Sequence, residues 1–208
     1  MHNHKVENEK KTLIVIILTI VTMAAEIVYG YYTNSMALLA DGYHMGTHAL
    51  ALFLTYIAYV IARKFENSKK FPNGTDKIGT LAAYTSSIFL GLTGIWIVFE
   101  GISRFIHPLE INFNDAILVA IIGLLVNSIC ILVMNKNHND DYNFMAAYYH
   151  ILADALTSIL AIGALLFGKY LQINYLDSFA GIFGGILILR WAISLIKNTI
   201  EILIDKKS

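Results

Sequence analysis

Tyr43-His44-Met45-Gly46-Thr47-His48-Ala49-Leu50 is echoed in the second half of the chain by Tyr149-His150-Ile151-Leu152-Ala153-Asp154-Ala155-Leu156. Both copies lie inside long apolar runs, where an imidazole or a carboxylate is costly to place. The chain around them is 57% hydrophobic and 14% charged, with a mean hydropathy of +0.61, against roughly 25% charged residues in an ordinary soluble domain. That is the composition of a membrane protein, so each copy is read as part of a helix that crosses the bilayer. Four ligand-type groups in two matched i, i+4 pairs point to something bound, and a divalent metal ion is the most natural candidate.

Working outward from the two copies, a hydrocarbon core of about 30 Å needs about 20 apolar residues per helix. The chain then divides into six spans, Thr12–Tyr32, Ala37–Ala62, Ile78–Ser103, Phe113–Met134, Phe144–Gly168 and Leu176–Ile202. The joints carry turn signals: Thr33-Asn34-Ser35, Phe71-Pro72-Asn73-Gly74, His107-Pro108, the polar stretch Asn135 to Asn143, and Gln172-Ile173-Asn174. The expected fold class is all-α, a polytopic membrane protein of six transmembrane helices. Residues 1–11 form a polar tail, 12–203 the transmembrane domain and 204–208 a short second tail, with no separate soluble domain. The first run is too long, and wrongly flanked, for a cleaved signal peptide. His2 and His4 are read as part of a disordered, solvated tail rather than as ligands. The single cysteine, Cys130, excludes an internal disulfide framework and reads as a small packing residue. A formal net charge of zero leaves no basic surface for nucleic acid.

Lys and Arg gather on one side of the bilayer. With the amino terminus cytoplasmic, that side receives Lys5, Lys10, Lys11, Arg63, Lys64, Lys69, Lys70, Lys77, Lys136, Lys197, Lys206 and Lys207, while the other receives Arg104 and Lys169. The imbalance orients the chain with both termini in the cytoplasm, in the cell (inner) membrane. The two motif copies then lie three helices apart, in helices of opposite direction. This is the relation of an inverted repeat, spans one to three against four to six, with a site near the midplane.

Helical geometry selects the side chains that converge. Positions four apart differ by about 40° and stack about 6 Å along the axis, so His44 and His48 share a face, as do His150 and Asp154. Three nitrogens and one oxygen suit tetrahedral Zn²⁺ and are accepted by Co²⁺, whereas Mg²⁺ and Ca²⁺ prefer oxygen. Asp41 lies on the same face, about 10 Å along the axis from His48. It is expected in an approach vestibule or behind the ligands, where a carboxylate on the far nitrogen of His44 would fix its tautomer. A lone membrane histidine commonly serves only as a hydrogen-bonding group between helices, but two phased pairs at matched depth argue against that here. Glu26, Glu100, Asn127 and Arg190 are expected to pair with neighbouring helices or to serve a proton path, and Arg190, near mid-span, calls for an acidic or carbonyl partner. His107 reads as a solvated loop residue, and His138, Asn139, Asp140 and Asp141 as a cation-attracting cluster at one mouth. Gly42 and Gly46 form a small-x-x-x-small step for helix packing.

The stretch Ser35-Met36-Ala37-Leu38-Leu39-Ala40-Asp41-Gly42-Tyr43-His44-Met45 followed by His48, together with His150-Ile151-Leu152-Ala153-Asp154-Ala155-Leu156-Thr157-Ser158, resembles the second and fifth transmembrane helices of cation diffusion facilitators. The resemblance extends to Glu100, Arg104 and Pro108 at the end of the third span and to Gly123 and Asn127 in the fourth. It implies that His44, His48, His150 and Asp154 hold a transported divalent ion (Zn²⁺, Co²⁺, Ni²⁺ or Cd²⁺) as substrate, with no cofactor, and that transport runs against protons. It also implies a homodimer. Zinc-transporting members commonly carry Asp at the position of His48, and the His-x-x-x-His form resembles the branch associated with cobalt and nickel efflux. Most members continue into a cytoplasmic metal-sensing, dimerising domain, and the sequence in hand ends at Ser208.

The mechanism expected from these residues is alternating access with proton exchange, because imidazole must be neutral to bind metal. An integral-membrane metalloenzyme is the alternative, since membrane hydroxylases and desaturases also use His-x-x-x-His pairs. Their oxygen chemistry needs many more histidines than the three of seven found here in spans. A zinc protease would need a Glu after the first His, and Met45 stands there.

Overall fold

The computed structural model describes residues 2–65, 75, 77–133 and 142–206, without the side chains of residues 2–13, 52, 133, 142–151 and 153. Its elements are α1 (His2–Thr33), α2 (Met36–Phe65), α3 (Lys77–Ile106), α4 (Phe113–Val133), α5 (Tyr142–Leu171) and α6 (Tyr175–Leu203). All six are long and apolar enough to cross a bilayer, and the chain is an all-α, multi-pass membrane protein. Met134, the expected end of the fourth span, and the His138 to Asp141 cluster lie outside the described residues.

Three helix ends close in the same way. Asn34, Gln172 and Asp205 adopt left-handed φ values of 59°, 57° and 54°. After each, a backbone N–H reaches five residues back: Ser35 to Gly30 at 3.0 Å, Ile173 to Gly168 at 2.9 Å and Lys206 to Glu201 at 2.9 Å. These are Schellman closures, which satisfy the last carbonyls of a helix; the short polar side chains of Asn34 and Asp205 tolerate the left-handed backbone, which Gln172 also adopts. The sequence joints at Thr33-Asn34-Ser35 and Gln172-Ile173-Asn174 are therefore turns by construction. α1, however, begins at His2, where a disordered tail was expected. Glu7, Glu9, Lys10 and Lys11 are good helix formers and extend the helical backbone of the apolar run.

The helices pack as a ring, α1 against α2, α2 against α5, α5 against α4 and α4 against α1, with the α3–α6 pair set against α2. Each of the first three helices also touches its counterpart in the second three: α1 with α4, α2 with α5, α3 with α6. This pairing is compatible with an in-plane pseudo-two-fold axis.

The α3–α6 seam is the most extensive and depends on glycine. A Cβ on Gly94 would come within 3.2 Å of the Gly185 carbonyl, and one on Gly185 within 3.2 Å of the Gly94 carbonyl. The two backbones therefore touch, as small residues permit in a bilayer. Met36, Leu39 and Ala40 of α2 join Leu90, Ile97, Ile188 and Ala192 in one core cluster. Leu38 joins Ala116, Ala120 and Leu165 in another, so α2 is packed on both sides. Val15 and Cys130 meet between α1 and α4. Gly42 and Gly46 lie against Ile27, Glu26 and Met23 of α1.

At the Asn34 end, one buried carboxylate organises the packing. Asp177 accepts hydrogen bonds from Ser35 Oγ at 2.7 Å, from the Met36 N–H at 2.6 Å and from the Ala37 N–H at 3.1 Å. It thereby satisfies N–H groups that the first turn of α2 cannot pair within the helix. Ser35 Oγ in turn accepts from the Leu38 N–H at 3.1 Å, as an N-cap does. Arg104 donates to the Asn34 carbonyl at 2.9 Å and to Glu100 Oε1 at 2.9 Å. Glu100 is thus paired within its own helix instead of with a neighbour, because i, i+4 spacing brings the guanidinium back to it.

Candidate metal centre

α2 and α5 bring the two motif copies face to face. Asp41, His44 and Thr47 are buried on α2, and Asp154 and Ser158 on α5. His44 Nε2 lies 3.4 Å from His48 Nε2 and 3.6 Å from Asp154 Oδ1, and the two rings stand edge-on at 89°. In a tetrahedral site with bonds of about 2.0–2.1 Å, neighbouring ligand atoms stand about 3.3–3.4 Å apart. Both separations are close to that edge. His44 is the shared member of the two pairs, yet among the described residues no three ligand-type groups surround one point closely enough to hold an ion. His150 is placed on α5, and its side chain lies outside the described residues.

Asp41 sits one layer away and is bound to the opposite helix. Its Oδ2 accepts from Ser158 Oγ at 2.7 Å, and its Oδ1 lies 2.8 Å from Thr157 Oγ1. Thr157 Oγ1 is also 2.8 Å from the Asp154 carbonyl, and one hydroxyl proton serves only one of these acceptors at a time. The expected bond from Asp41 to the far nitrogen of His44 is replaced by this α2–α5 link, because the α5 hydroxyls face the carboxylate directly.

Asp41 and His44 also line a crevice of about 210 Å³ between α2, α5 and α6, walled chiefly by apolar residues such as Leu160, Phe183 and Trp191. Trp191 lies against the His44 ring, centroids 5.0 Å apart and planes at 39°. Nothing in the motif spacing signals this contact, which depends on where α6 runs.

The other polar residues of the spans separate into three kinds. Glu26 is fully buried on α1, and its carboxyl fills the space above Gly123 of α4, beside Thr22. Asn127 is buried on the next turn of α4. Both Glu26 oxygens and Asn127 Nδ2 have no hydrogen-bond partner among the described residues, contrary to the expected pairing, since the surface facing the Glu26 carboxyl is a glycine. Glu100 belongs to the Asp177 end of the molecule. Arg190 is exposed on the outer face of α6 and has no hydrogen bond or ion pair among the described residues. Its position, one residue from Trp191, turns it away from the bundle, and the long aliphatic stem lets such a head group reach along the helix surface. His107 is exposed in its loop.

Residues 12–204 match the family model of the cation efflux transmembrane domain. The chain is 32% identical over 208 aligned positions to the "Cadmium, cobalt and zinc/H(+)-K(+) antiporter" of Bacillus velezensis, covering 98% of this chain and 66% of the relative. It is 34% identical over 208 positions to zinc transporter ZitB of Pectobacterium atrosepticum, covering 98% and 65%. With the metal cation efflux system protein CzcD of Cupriavidus metallidurans it shares 28% over 204 positions, covering 98% and 64%. The chain therefore spans about two thirds of the length of these curated relatives. The relatives are transporters, not enzymes, so the metalloenzyme alternative is not favoured.

Proposed function

The chain belongs to the cation efflux family, the cation diffusion facilitators, and from that premise we propose that it is a secondary transporter exporting divalent transition-metal cations in exchange for protons by alternating access. The observation that carries this reading is the placement of His44 Nε2 between His48 Nε2 and Asp154 Oδ1 at near-tetrahedral spacings. His150, one helical turn from Asp154, is the proposed fourth ligand. Movement of α5 against α2 closes these groups around the ion and reopens them toward the other face.

Protons and metal compete for the same groups. A ligand histidine must be neutral to coordinate, and with an ordinary pKa near 6.5 it is protonated increasingly as the pH of the facing compartment falls. A site open to an acidic exterior thus releases its ion and takes protons, and a site open to a neutral cytoplasm does the reverse. The lysine and arginine asymmetry supports an orientation with both termini cytoplasmic in the cell (inner) membrane. Close relatives are named for cadmium, cobalt and zinc, and the proposed substrates are Zn²⁺, Co²⁺, Ni²⁺ and Cd²⁺. A nitrogen ligand at His48 tilts the preference toward cobalt and nickel, and the working unit is proposed to be a homodimer.

Flux of Zn²⁺ and Co²⁺ into proteoliposomes with an imposed pH gradient tests the reading. His48→Ala and Asp154→Ala should each lower flux by about 10-fold or more while the protein remains monodisperse. The same flux in both variants as in wild type would remove the metal centre from the mechanism.

A further inference from the structure

The transport reading leaves Glu26 unused, although it is the carboxyl most completely enclosed by the ring. It is fully buried on α1, its Cβ lies against Gly42 of α2, and its carboxyl covers Gly123 of α4. Neither oxygen has a partner among the described residues. An ionised carboxylate in such a place, with no hydrogen bond and no counter-charge, is strongly disfavoured. The groups that face it offer none. α2 places Gly42 against its Cβ, one residue from Asp41 and two from His44. α4 presents Gly123, with the neutral Asn127 buried on the next turn, and α1 itself presents Thr22. Among the described residues no lysine or arginine pairs with it. Asn127 contributes an unpaired N–H donor, which suits a carboxyl oxygen and repels a cation.

Glu26 thus has no fixed positive charge beside it among the described residues, and Gly42 links it to the turn of α2 that carries Asp41 and His44. A carboxyl so enclosed holds a proton when no cation is present, and it yields that proton when a divalent charge arrives nearby. We propose that Glu26 is a second proton-binding site, separate from the metal ligands, which releases its proton when a divalent cation occupies the His44–Asp154 centre. The balance is simple: the carboxylic acid becomes a carboxylate and one proton passes to solvent, while the entering ion supplies the charge that offsets the new anion. Asn127 and the gap over Gly123 are what allow the carboxyl to exist in both forms, the amide as a donor to the anion and the glycine as room for the acid. The proposal rests on the transport reading, since it concerns the coupling of that same centre.

The test counts protons. Full-length protein in nanodiscs is titrated with Zn²⁺ by calorimetry in two buffers of different ionisation enthalpy, which gives the number of protons released per ion bound. Glu26→Gln, nearly isosteric, should bind Zn²⁺ and release one proton fewer than wild type. An unchanged proton count in that variant overturns the proposal and leaves the transport reading intact. Wild type that neither binds nor moves Zn²⁺ overturns both. Infrared difference spectra of wild type supply an arm that survives if Glu26→Gln does not fold. A protonated-carboxyl band should vanish on adding Zn²⁺, and Glu26→Asp should shift it. No band lost, or one unmoved by Glu26→Asp, assigns the proton elsewhere.

Discussion

Two of the three seams between counterpart helices of the two halves are built in opposite ways. Between α3 and α6, Gly94 and Gly185 bring backbone onto backbone, and the surrounding residues are apolar. Between α1 and α4 the glycine at 123 is opposed by a carboxyl, with Asn127 on the next turn. A small residue therefore does two jobs in one molecule. On the first seam it removes space, and on the second it reserves space for a polar group. Close backbone packing leaves no room to adjust, whereas the atom nearest Gly123 is the end of a flexible side chain. The difference assigns rigidity to the α3–α6 pair and chemistry to the ring.

The largest effect that would test this contrast belongs to Gly185→Leu. The new side chain meets Val98, Ile97 and the Gly94 carbonyl, and overpacking of this kind costs about 1–3 kcal/mol or more. Reversible unfolding in mixed micelles should show the loss, and wild-type stability would mean that the seam is loose. Gly123→Ala should cost less, since its Cβ displaces the end of a flexible side chain instead of backbone. Its main result should be an altered pH dependence of flux with stability within about 1 kcal/mol of wild type; altered stability without altered flux would make the two seams alike. Asp41→Asn weakens one of the bonds to Thr157 and Ser158, and about 1 kcal/mol of stability is expected to go with it. The smallest change should come from Lys77→Ala, at the far end of the rigid seam. Its Nζ bonds the Leu203 carbonyl at 2.9 Å and Asp205 at 2.7 Å, but both side chains are largely exposed and such pairs contribute under about 1 kcal/mol.

Helix number, the turns at Asn34 and Gln172, and the approach of His44 to His48 were legible in the sequence. Each depends on information carried locally, by run length, turn residues or i, i+4 spacing. The helix neighbours were not legible. In a bilayer the outward face of a helix is as apolar as the inward one, so periodicity does not say which face meets which helix. Asp177 illustrates this. It stands in the first turn of α6, where an acid is explained by its own helix dipole, yet its carboxylate serves the start of α2. Arg190 failed in the opposite sense: a charge near mid-span was expected to find a partner, and it faces outward. Trp191 became part of the site only because α6 passes His44 at the right depth.

The bonds from Asp177 to Ser35, Met36 and Ala37 fasten the first turn of α2 to α6. A rod held that way behaves as a lever about a fulcrum. α2 has 30 residues, or about 45 Å of length, and His44 lies only about 12 Å from the fulcrum. A tilt of about 10° would swing the far end through roughly 8 Å while carrying His44 through roughly 2 Å. A mouth wide enough for a hydrated ion could then open and shut around a ligand that hardly leaves its place.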